Sequence, residues 1–100
     1  MRVRIAQQAR ADLDGIWIYV AKESDSQAFA TRVIESITDK FRILAKYPLI
    51  GRSLESELRP QIRTFVADHY LIFYSPRGEE LRILRVIHAS RGAFALFGGE

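Results

Sequence analysis

The chain has 100 residues, a formal net charge of +3, 48% hydrophobic and 27% charged residues, and no cysteine. That length holds one domain, residues 1–100, with one core. The composition excludes a disordered chain, and the lack of cysteine excludes disulfides and thiolate metal sites. No apolar run approaches the roughly 18 residues needed to span a bilayer. The opening MRVRIAQQAR lacks the apolar stretch of a signal peptide, so a cytoplasmic protein with no membrane partner is expected.

Residues 2 to 6, RVRIA, alternate polar and apolar and predict a short strand. From Ala9 the period changes. Ala9, Leu13, Ile16, Trp17 and Val20 recur at helical spacing and predict a first helix ending near Lys22, with Trp17 in the core. Asp12 and Asp14 are expected in solvent or paired locally with Arg10. Ser24 and Gln27 fit a capping box that opens a second helix. Its stripe is Ala30, Val33, Ile34, Ile37, Phe41 and Leu44, and Pro48 stops it. Residues 47–60 read as an irregular connector, rich in Pro, Gly, Ser and Glu. Strands follow over 62–66, 70–75 and 80–88, separated by turns at Ala67-Asp68-His69 and Pro76-Arg77-Gly78. Residues 89–97 form either a short helix or a loose tail.

The order β-α-α-β-β-β predicts an α+β domain with an αα-hairpin packed on one face of a small antiparallel sheet. Alternation along LRILRVIH puts Leu81, Ile83, Arg85 and Ile87 on one face and Leu84 and Val86 on the other. An unpaired Arg beneath two helices is costly, so the helices are expected over Leu84 and Val86. Arg85 then sits in an outward apolar patch, as in a partner-binding groove. Two other readings stay open. The segment bearing Phe94, Leu96 and Phe97 could fold over that face, and Arg85 could pair within the chain. Tyr70 and Tyr74 fit the open face or the helix side equally well. Twelve of fifteen basic residues are Arg. Its planar fork suits an anionic partner, although genome composition gives the same bias.

The series ARADLDGIWIYVAKES, LAKYPLIGRSLESELRPQIRTF, HYLIFY and LRILRVIHASR resembles the ParE branch of the RelE/ParE toxin superfamily from about Ala9 to Arg91. The resemblance implies a toxin of a two-gene toxin–antitoxin module, of the kind tied to plasmid stabilisation. It implies a hetero-oligomeric complex with a ParD-like antitoxin whose acidic or amphipathic tail neutralises the toxin. It also implies growth arrest by inhibition of DNA gyrase, whereas RelE-like relatives cut messenger RNA on the ribosome. The alternatives are such an endoribonuclease or a non-toxic homologue that only binds its partner.

Ribonuclease chemistry needs an acid, a base and cations facing the phosphate. RelE-like members use Lys and Arg clusters and a C-terminal Tyr, but here no Lys follows Lys46 and no Tyr follows Tyr74. His88 and Arg91 are the remaining catalytic candidates, so a poison rather than a catalyst is favoured. Two histidines without spaced carboxylates make no metal site, and no phosphate-binding Gly loop exists, so no metal or cofactor is expected. Antitoxin contacts are expected at Arg63, Tyr70, Leu81, Ile83, Arg85, Ile87 and Arg91, with a bridge from Arg63 to Glu55 or Glu57 as the competing role. Target contacts are expected at His88, Ser90, Arg91, Phe94 and Phe97. Sequence-specific DNA binding by this chain alone is not expected.

Overall fold

The computed structural model describes residues 1–54 and 61–90. In chain order these form β1 (Arg2–Ile5), α1 (Gln7–Ser24), α2 (Gln27–Lys46), β2 (Arg52–Ser53), β3 (Arg63–Ala67), β4 (Tyr70–Arg77) and β5 (Glu80–His88). The five strands make one sheet in the order β1-β5-β4-β3-β2. From β2 to β5 each pair is antiparallel. β1, however, runs parallel to β5, with Arg2 opposite Glu80 and Ile5 opposite Ile83. The sheet is therefore mixed, where a purely antiparallel one was expected. A parallel neighbour needs a crossover; here the chain leaves β1 through both helices and returns through the β2–β5 meander.

Helix boundaries follow local chemistry. α1 runs on to Ser24 because Asp25 adopts the left-handed conformation (φ 55°) that ends it. The Ser24 hydroxyl donates back to the Val20 carbonyl at 2.6 Å. Ser26, not Ser24, caps α2: its Oγ accepts from the Phe29 amide at 3.0 Å. Trp17 lies half-buried on the helix–helix seam rather than in the core, its Nε1 donating to Thr31 Oγ1 at 3.1 Å. The two-residue β2 lies inside the expected irregular connector and pairs with Arg63 and Thr64.

The core forms where Ala9 of α1 and Ile37, Phe41 and Leu44 of α2 meet the sheet. The sheet supplies Ala67, Tyr70, Ile72, Tyr74, Leu81, Ile83 and Val86 to that layer, so both tyrosines lie on the helix side. Ile62, Leu71, Phe73 and Ile87 form a second buried cluster on the other face, with Leu54 and Leu84 against it. This corrects the expected faces of β5: Leu81 and Ile83 are under the helices, and Leu84 is outside. The cause is a β-bulge. Tyr74 opposes Ile83 while Phe73 opposes Arg85, which leaves Leu84 as an extra residue. Such an insertion resets the alternation, so a strict period of two fails across it.

Candidate functional site

The bulge decides the role of Arg85. Instead of standing outward in an apolar patch, its side chain reaches α1. Nε donates to Asp12 Oδ2 at 2.8 Å and Nη2 to Oδ1 at 3.0 Å, a two-pronged ion pair. Asp12 Oδ2 also accepts from the Val86 amide at 2.9 Å. β1 ends opposite Ile83, so beyond it this edge of β5 has no strand partner, and Asp12 takes that place. The side chains are 12% (Asp12) and 25% (Arg85) exposed. The hydrogen bonds Arg85 donates to Asp12, ahead of the opposing effect of burial, push the Arg85 pKa above its ordinary value. Asp12 was expected in solvent or paired locally with Arg10. Its spacing, three residues after Ala9 and four before Ile16, was the overlooked signal: it flanks the buried stripe.

A second knot holds the connector after α2. Tyr74 is fully buried, and its hydroxyl donates to the Pro48 carbonyl at 2.9 Å and accepts from the Gly51 amide at 2.8 Å. Burial is the main reason its pKa is raised; the Gly51 hydrogen bond and the Arg63 charge oppose it. Arg63 Nη1 donates to the Gly51 carbonyl at 2.8 Å and the Leu49 carbonyl at 3.3 Å. Gly51 has no room for a side chain: a Cβ there would meet the Tyr74 hydroxyl and lie 2.7 Å from the Thr64 carbonyl oxygen. Arg63 is thus a clamp on this turn. Glu55 and Glu57, its other expected partners, lie outside the described residues.

At the exit of β5, His88 packs edge-on to Tyr70 with ring centroids 5.3 Å apart. His69, in the β3–β4 turn, stacks nearly parallel to His88, centroids 6.2 Å apart. His88 Nδ1 accepts from the Ser90 amide at 3.2 Å and stands 2.7 Å from Ser90 Oγ. That contact places the ring proton on Nε2. His88 and Ser90, with Ile16, Tyr19 and Tyr70, line a depression of about 190 Å³. This is smaller than the roughly 300–1,000 Å³ of small-ligand sites. It suits a surface contact better than a captured substrate.

The expected site residues therefore separate. His88 and Ser90 are together at the strand exit. Tyr70 and Ile87 are buried at 9% exposure, and Leu81 and Ile83 at 0%, so the apolar members of the expected groove offer almost no surface. Arg63 and Arg85 are engaged within the chain. Arg91, Phe94 and Phe97 lie outside the described residues, as does the segment expected as a helix or tail.

Comparison with known proteins gives concordant results. A family model described as ParE toxin of type II toxin-antitoxin system, parDE, matches residues 3–92. Toxin ParE3 of Caulobacter vibrioides is 30% identical over 97 residues, covering 97% of this chain and 95% of that protein. Toxin ParE1 of the same organism is 30% identical over 95 residues, covering 95% and 96%. Among solved structures, a chain from the chromosomal ParDE TA system from P. aeruginosa superposes with a TM-score of 0.75 at 23% identity. It covers 88% of this chain and 95% of that one. A chain of the toxin-antitoxin complex RelBE2 from Mycobacterium tuberculosis superposes with a TM-score of 0.60 at 27% identity, covering 87% and 95%.

Proposed function

The chain belongs to the ParE toxin family of type II toxin–antitoxin systems, and on that premise we propose that it halts growth by poisoning DNA gyrase until a ParD-like antitoxin neutralises it. The observation that carries the choice of a poison over a nuclease is the Asp12–Arg85 pair. A phosphate-cleaving site needs cations free to meet the developing negative charge. The central cation of β5 is instead matched to a carboxylate of the same chain. His88 supplies one imidazole, its Nδ1 taken up by Ser90, in a depression too small to enclose a nucleotide. A surface of this kind acts by binding a protein. The endoribonuclease reading keeps one support, the imidazole of His88 at the strand exit, a side-chain type that serves in acid–base catalysis.

Induced expression with pulse labelling tests the reading. A gyrase poison stops thymidine incorporation first and leaves methionine incorporation running for a time, and co-expressed antitoxin restores both. Early loss of methionine incorporation would point to messenger RNA instead.

A further inference from the structure

We propose that the turn after α2 is a docking surface for the antitoxin, taking an amphipathic segment whose aliphatic or aromatic side chains are flanked by carboxylates. The inference rests on the toxin–antitoxin reading above and assigns its partner a second location. Leu49, Tyr47, Ile50 and Ile43 are 67%, 55%, 53% and 40% exposed. Their backbones are drawn together at the end of α2: the Tyr47 amide donates to Ile43 O at 2.8 Å, and the Ile50 amide to Tyr47 O at 3.0 Å. Four large apolar side chains exposed on one short stretch of chain mark a contact surface.

The turn is also built to stay in place. A fully buried tyrosine hydroxyl and an arginine fork hold three of its carbonyls and one amide, and Gly51 lets Tyr74 approach. Fixing the backbone before binding removes the ordering cost from association. Charge indicates the partner. Between residues 39 and 54 stand Lys40, Arg42, Lys46 and Arg52 against Asp39 alone, four cations less one anion, or +3. Among the described residues none of those four cations is in an ion pair. Lys46 instead lies over the Tyr47 ring at 5.6 Å. Exposed apolar side chains on a stretch of net positive charge select an acidic amphipathic partner.

One hollow elsewhere on the chain is less informative. It is a groove of about 470 Å³ between the helix pair and the β3–β4 turn. Arg32 and Asp68 both line it, so their charges cancel and indicate no partner.

The test is calorimetric titration of the full-length chain with its cognate antitoxin. Wild type is compared with Leu49→Ala/Ile50→Ala and with Arg42→Gln/Lys46→Gln, each matched in melting temperature to wild type. The apolar pair of changes should raise Kd at least about tenfold, the scale of losing an interface anchor. The charge changes should flatten the dependence of Kd on salt. Wild-type affinity and salt dependence in both folded variants overturn the inference while leaving the toxin reading intact. A wild-type chain that binds no antitoxin and arrests no growth overturns both. If wild type elutes as a dimer that Leu49→Ala/Ile50→Ala returns to monomer, with antitoxin affinity unchanged, the patch is a self-interface and the inference fails.

Discussion

Replacing Asp12 with alanine should destabilise the fold far more than an ordinary helix-surface change. The substitution removes three acceptor contacts at once, at 2.8, 3.0 and 2.9 Å. Two are charge-assisted bonds to Arg85, each worth about 1.5–3 kcal/mol when shielded. The third leaves the Val86 amide without its acceptor beside a bulge. Breaking a buried pair from one side costs about 3–5 kcal/mol. Arg85 keeps 25% of its side-chain surface, so water partly compensates and the expected loss is about 2–4 kcal/mol. Asp12→Asn retains one carbonyl acceptor and should lose about half as much. Arg85→Met leaves the Asp12 carboxylate, 12% exposed, with the Val86 amide as its remaining donor, so its cost should be comparable to that of Asp12→Ala. Urea unfolding, extrapolated linearly to water, measures all three. An Asp12→Ala protein within about 0.5 kcal/mol of wild type, the range of neutral surface changes, would refute the reasoning.

The remaining predictions concern the turn knot and the helix break. Gly51→Ala forces a Cβ against the Tyr74 hydroxyl and the Thr64 carbonyl oxygen; thermal melting should show a loss of about 1–3 kcal/mol. Tyr74→Phe strands the Gly51 amide and should cost about 1–3 kcal/mol at neutral pH by urea unfolding. Because the folded state raises the Tyr74 pKa above 10.0, its stabilisation is complete below that value. It is lost as pH rises beyond it, by at most about 1.4 kcal/mol per pH unit. The wild-type advantage over Tyr74→Phe should therefore shrink on going from neutral pH to above about pH 10, and a constant gap counts against the buried-hydroxyl account. Ser26→Ala should cost about 1 kcal/mol as loss of a cap, with Ser24→Ala costing less; equal losses would mean that the cap is misplaced.

Regular patterning made most of the fold legible. Glu80 to His88 is a strand at its expected limits, and the apolar stripe Ala30, Ile37, Phe41 and Leu44 of α2 is the buried one. What escaped depended on a single residue added or displaced. One extra residue at Leu84 turned Leu81 and Ile83 inward, and no local signal in LRILRVIH marks a bulge. The parallel pairing of β1 is set by topology, which a four-residue strand does not encode. The helix break moved because Asp25 takes a left-handed turn, leaving the cap to Ser26. At the site, His88 and Ser90 lie together at the strand exit, where the strand pattern ends. Arg85 was misplaced because its partner, Asp12, lies 73 residues away in sequence. The Tyr74–Arg63–Gly51 knot is likewise built from long-range contacts.

The measurement that bears most directly on the central claim is a plasmid cleavage assay with the purified chain, DNA gyrase and ATP, with and without the antitoxin. The account predicts double-strand breaks covalently linked to gyrase, present with the chain and abolished by the antitoxin. Intact plasmid from a folded sample, together with cut messenger RNA in a translating extract, would contradict it.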